Sequence, residues 1–158
     1  PKTVRRQRQM CIRDSIQGDV ANIEPGKGGC HTRNGTLLNH WSISHTDHGA
    51  VAVKSTGPYP IGVDMEPKSR LVDMGALDQI ATEEVKKQTP YPTNLETWMA
   101  IEAVSKATGY GLSISREISY SRGVWKLRGE SWKVDFEQRL VGGVHHLVSI
   151  ARLITEAP

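Results

Sequence analysis

The stretch IGVDMEPKSR, Ile61 to Arg70, decides how this chain is read. A short apolar run ends in two acids one residue apart, and the chain then turns basic. In a strand, side chains alternate faces, so Asp64 and Glu66 are expected to project from the same side. Two carboxylates held together repel each other unless a cation, a proton or a solvated rim relieves them. Taken alone, the pattern also describes an acidic strand end facing solvent.

Outward from this stretch the chain reads as alternating elements. Upstream, NIEPGKGGCHTRNGT (residues 22–36) is rich in glycine and polar residues and is expected to be loop. LLNHWSISH is strand-like, and GAVAVKS is a short buried strand. TGPYP then turns the chain into IGVDME, so these last two strands are expected to pair as a hairpin. Downstream, MGALDQIATEEVKK has helical spacing, with acids early and lysines late, as a helix dipole prefers. NLETWMAIEAVSKATG is the clearest helix, with Asn94 as cap, Gly109 as stop and Leu95, Trp98, Met99, Ala103 and Ala107 in one stripe. LSISREISY, GVWKLRG, SWKVDFEQR and VHHLVSIARL read as successive strands. This order predicts an α+β fold in which an antiparallel sheet packs against a long helix.

The 158 residues are enough for one domain with a core, and 23% charged with 37% hydrophobic residues is a globular composition, not a disordered one. No apolar run approaches the length of a membrane span, and no signal peptide is visible. The formal net charge is +3, but PKTVRRQRQMCIRDS at the start is densely basic. Without aromatics or a nucleic-acid motif, this run is expected to be a disordered or artefactual arm, with nucleic-acid binding a distant alternative. Cys11 and Cys30 allow one disulfide, yet form no CxxC, so reduced thiols in a cytoplasmic protein are expected. His31, His40, His45 and His48 match no zinc-ligand spacing.

Three pieces stand in order: SISH at residues 42–45, IGVDMEP at residues 61–67 and WMAIEAVSKATGYGL at residues 98–112. Together they resemble the phosphopantetheinyl transferases, in particular the two-lobe class that activates peptide and polyketide synthetases. The resemblance runs from about Lys27 to the C-terminus. It implies magnesium-dependent transfer of the phosphopantetheine arm of coenzyme A onto a serine of an acyl or peptidyl carrier protein. It further implies that Asp64, Glu66 and Glu102 hold the metal, because Mg²⁺ takes hard carboxylate oxygens together with phosphate oxygens. Glu102 and Lys106, four residues apart on one helix face, become the catalytic pair, with Lys106 also meeting phosphate. Without the acidic strand the same two would be an ordinary exposed ion pair. Ser44 and His45 are expected to contact coenzyme A, and so is Lys27, although Gly28 stands where the pattern has proline.

Ile101 departs from the pattern, which has a lysine before the metal-binding glutamate. The segment ahead of residue 27 is short for a first lobe. The expected division is therefore an arm at residues 1–15, a remnant of an N-terminal lobe at 16–60 and a phosphopantetheinyl-transferase-like lobe at 61–158. The alternative function is a degenerate or truncated lobe that binds coenzyme A or a carrier protein without turnover. The residues leave open the carrier protein and the oligomeric state.

Overall fold

The computed structural model describes residues 23–26, 29–32 and 40–155. The basic arm and Lys27 lie outside these. Strands β1 (Ile23–Gly26) and β2 (Gly29–Thr32) pair antiparallel, where the sequence suggested loop. β3 (Trp41–Thr46) and β4 (Gly49–Lys54) form a second antiparallel pair, closed by the Ser55 N–H donating to the His40 carbonyl at 2.9 Å. The five remaining strands are β5 (Ile61–Pro67), β6 (Ser119–Ser121), β7 (Val124–Leu127), β8 (Glu130–Val141) and β9 (Val144–Leu153). They make one antiparallel sheet in the order β5-β9-β8-β7-β6. The fold is thus mixed α/β, with antiparallel sheets and a long helix.

The expected hairpin between GAVAVKS and IGVDME does not form. β4 is satisfied by β3, and β5 takes β9 instead, with Asp64 opposite Ser149. The six residues between β4 and β5 form a wide connection that lets β5 leave its predecessor.

The helical run after residue 74 is also divided. α1 (Met74–Ile80) ends at the extended Ala81, and α2 (Glu83–Gln88) starts on Thr82, whose hydroxyl accepts from the Val85 N–H at 3.3 Å. A capping threonine inside a helical pattern competes with continuation of the helix. α3 (Asn94–Thr108) is capped by Thr93, one residue earlier than expected. The Thr93 N–H and hydroxyl both donate to Glu96, while the Asn94 amide donates to the Val72 carbonyl. Gly109 ends the helix with φ 77°, a left-handed geometry that glycine adopts without strain. Where a strand was expected over LSISREISY, a 3₁₀ helix (Gly111–Glu117) leads into the short β6.

The two faces of β5 carry different loads. Ile61, Val63 and Met65 point to a small buried cluster with Val148 and Ile150, covered by Val51 and Val53 of the β3–β4 hairpin. The other face meets α3. The main core lies there, with Ile101, Ala103, Val104, Trp125 and Trp132 fully buried. The Ser149 hydroxyl ties β9 to α3 by donating to the Met99 carbonyl at 3.0 Å.

Gly62 sets how close α3 comes. A Cβ at this position would lie 1.9 Å from the Ala103 carbonyl oxygen and 2.7 Å from the Ala107 nitrogen, both helix backbone. Backbone cannot rotate out of the way, so α3 would have to lift off the sheet. Gly62→Ala is expected to destabilise the fold by about 3 kcal/mol or more, read as a lowered urea midpoint. A midpoint equal to the parent's would show that α3 does not sit this tightly on β5.

Candidate functional site

Along β3, alternation puts Ser42, Ser44 and Thr46 on one face, and all three hydroxyls are used. Ser42 Oγ accepts from the Val63 N–H at 3.0 Å, and Ser44 Oγ accepts from the Met65 N–H at 3.1 Å. These amides lie on the edge of β5 that β9 does not pair. Thr46 Oγ1 sits 3.0 Å from His146 Nε2. The hairpin is therefore fastened to the large sheet by side-chain hydroxyls and not by a continuous backbone ladder.

Ser44 also reaches the acids. Its hydroxyl donates to Asp64 Oδ1 at 3.0 Å, and the same oxygen receives Lys106 Nζ at 2.7 Å. Lys106 Nζ lies 3.3 Å from Ser44 Oγ and 3.4 Å from Glu102 Oε2. Asp64 is 2% exposed, and its second oxygen, Oδ2, is buried with no hydrogen-bond partner among the described residues. Glu66 stands two residues on, paired with the Arg70 guanidinium, which in turn lies over the Trp98 ring of α3 at 5.4 Å. β5 supplies Asp64 and Glu66, α3 supplies Glu102 and Lys106, and the close approach at Gly62 lets the two sets meet.

The charges press on each other. Burial, and then the Asp64 charge, push Glu66 up to about 7 from 4.5, against the opposing pull of Arg70. Burial and Asp64 likewise raise Glu102, partly offset by Lys106. Burial pulls the Lys106 ammonium down, but Asp64 and Glu102 outweigh it and leave it above its ordinary value. The cluster thus holds more acid than cation in a place poor in water.

Ser44, Asp64, Glu66, Glu102 and Lys106 are brought together. Ser44 faces inward and its hydroxyl is engaged within the cluster. His45, the next residue, is exposed on the other face of β3. It lines a cleft of about 370 Å³ with Thr46, His48, Glu66, Ser69 and Arg70, so Glu66 borders both cluster and cleft. Lys27 falls outside the described residues. Ile101 does not face the cleft at all and is fully buried in the core.

Sequence reasoning missed Arg70, Thr46 and His146. Arg70 is four residues beyond Glu66, but in this irregular turn the spacing carries no helical meaning. His146 is fully buried, its Nδ1–H donating to the Val144 carbonyl at 2.8 Å and Nε2 facing Thr46. Its partner is 100 residues away in the chain, so no local pattern signals it.

Among the described residues, no three acid, histidine or cysteine side chains are already arranged as a ligand set for a metal ion. Lys106 and Arg70 instead offset part of the acids' charge. The donor set nonetheless suits a hard cation. It offers carboxylate oxygens only, one of them buried and unpartnered, from two rigid elements.

Because Glu66 binds its proton more tightly in the folded state, its stabilising contribution is complete below about 4.5 and lost as pH rises through about 7. Stability is therefore expected to fall between pH 5 and pH 8. Glu66→Gln should remove roughly 1–2 kcal/mol of that fall, allowing for partial exposure, and leave a smaller slope from Glu102. Urea midpoints across this range measure it; an identical slope in the variant would contradict the assignment.

No protein-family model matches the chain, and no curated protein matches it.

Proposed function

We propose that this chain is a phosphopantetheinyl transferase lobe that moves the phosphopantetheine arm of coenzyme A onto a carrier-protein serine with the help of magnesium. The observation that carries the reading is the buried Asp64 carboxylate, which shares one oxygen with Lys106 and Ser44 and leaves the other without a partner among the described residues. An acid held in this way, beside two more carboxylates of raised pKa, is costly to stability and suits a site built to receive cationic or phosphate-bearing ligands. The three motifs, which lie far apart in the chain, supply the residues of this single cluster.

Asp64, Glu66 and Glu102 are the residues that would hold Mg²⁺. When bound, the ion would neutralise charge on the pyrophosphate of coenzyme A. In the transfer, the carrier serine oxygen forms a bond to the β-phosphorus while the bond from that phosphorus to the oxygen of 3′,5′-ADP breaks. The serine must lose its proton, and Glu102, the acid that α3 brings to the cluster, is the acceptor on this chain. Lys106 carries the mobile positive charge, able to exchange Asp64 for a phosphate oxygen. His45 and Arg70 face the adjoining cleft, where they can meet the nucleotide end. Such a reaction asks for positioning and charge neutralisation more than for covalent catalysis.

A second reading, a lobe that binds without turnover, draws on Ser44, whose hydroxyl is committed to Asp64 and Met65 and not offered to a phosphate.

The test has two arms on the same protein. Mg²⁺ is expected to raise the melting temperature at pH 8, and Asp64→Asn to abolish the shift. Labelled coenzyme A is expected to transfer its arm to a carrier protein with magnesium and not with a chelator, at least a hundredfold more slowly in Lys106→Ala. Metal and coenzyme A binding without transfer would select the second reading. No magnesium response in the parent protein would remove the transferase reading, and no binding of coenzyme A or a carrier protein would remove the second.

A further inference from the structure

At the opposite end of β5 from the acids, the hairpin and the large sheet diverge and leave a second cleft of about 430 Å³. Its walls come from the end of β4 and the connection 55–60 on one side, and from β5 and β9 on the other. The floor is apolar, formed by Ile61 and Ile150, which close the small core cluster from below. Tyr59, half exposed, and Leu153 extend this surface toward the rim.

The rim is cationic. Lys54 Nζ stands 5.0 Å over the Trp41 ring and, among the described residues, pairs with no acid. Arg152, directly across the register from Ile61, pairs with Asp135, but that acid is also taken by Lys133 at 3.1 Å. Of the residues lining the cleft, two are cations and none is an acid. A cleft of this size is within the range that takes small molecules. An apolar floor under a positive rim whose two cations have only a share of one acid between them selects a molecule with a hydrophobic body and a negative head.

We propose that this cleft is a second ligand site, taking a small amphipathic anion with its apolar body on Ile61 and Ile150 and its anionic head between Lys54 and Arg152. Nothing in this assignment involves the acid cluster, so it stands or falls separately from the transferase reading.

Octanoate is the probe and octanol its uncharged control, titrated into the isotope-labelled full chain and followed by amide chemical shifts. Octanoate is expected to give saturable shifts centred on Lys54, Tyr59, Ile61 and Ile150. Octanol should bind at least tenfold more weakly. Lys54→Glu, a change at an exposed position that leaves the fold intact, should weaken octanoate at least tenfold, and Arg152→Gln should weaken it severalfold. Equal binding of octanol and octanoate, an unchanged affinity in Lys54→Glu, or shifts centred elsewhere would each overturn the proposal.

Discussion

The row of hydroxyls on β3 is the constraint on which the site depends. β5 is an edge strand of the large sheet, and its outward amides at Val63 and Met65 would be buried without partners if the hairpin merely packed there by hydrophobic contact. A buried amide left unpaired costs about 1–3 kcal/mol. Ser42 and Ser44 each remove one such penalty. Because Ser44 retains a proton to donate after accepting from Met65, it can also hold Asp64 Oδ1, so one side chain fixes both the strand and the acid it carries. The fastening and the chemistry are the same bond network. Thr46 and the buried His146 extend it to the edge of the cleft, where the hairpin tip brings His45 and His48 beside Glu66.

A second constraint acts from the other side. Gly62 allows the backbone of α3 to approach β5 closely enough for Glu102 and Lys106 to meet Asp64. With a larger residue the helix would stand off, and a lysine reaching across a wetter gap would have less effect on the acids. Burial first, and then the nearby Asp64 charge, raise both Glu66 and Glu102, and the close approach of α3 brings about both causes. Lys106 and Arg70 relieve the repulsion only in part, and each is long and partly exposed, hence free to move when a different cation or an anion arrives.

What was legible in the sequence is what depends on local periodicity. The two-residue alternation placed Asp64 and Glu66 on the same side of a strand, and the four-residue spacing placed Glu102 and Lys106 on the same face of α3. Strand partners were another matter. β5 pairs with β9, about 85 residues later, and nothing in GAVAVKS or IGVDME distinguishes that partner from the nearer one. The break between α1 and α2 was hidden because Ala81 and Thr82 fit a helical pattern until the threonine hydroxyl is seen capping Val85. LSISREISY alternates like a strand, yet the tight turn at Gly109 and Gly111, both with positive φ, sends it into a 3₁₀ helix first. The role of His146 comes from a tertiary contact, and that of Arg70 from a turn whose shape the sequence does not show, together with its place over Trp98.

Ile101 shows how a motif can mislead when it is read without the helix that carries it. Compared with the transferase pattern, isoleucine at this position looks like a lost cation. On α3, however, residue 101 is rotated by about 100° from residue 102, and while Glu102 faces the acid cluster, Ile101 is sealed in the main core. An ammonium at that depth would have to be desolvated or would have to pull its stem out through packed side chains, at a cost of several kcal/mol. The isoleucine therefore contributes packing that holds α3 on the sheet, and through α3 it holds Glu102 and Lys106 at their distances. The positive charge of the site is carried instead by Lys106 from the helix and Arg70 from the turn after β5, two cations that contact the acids directly.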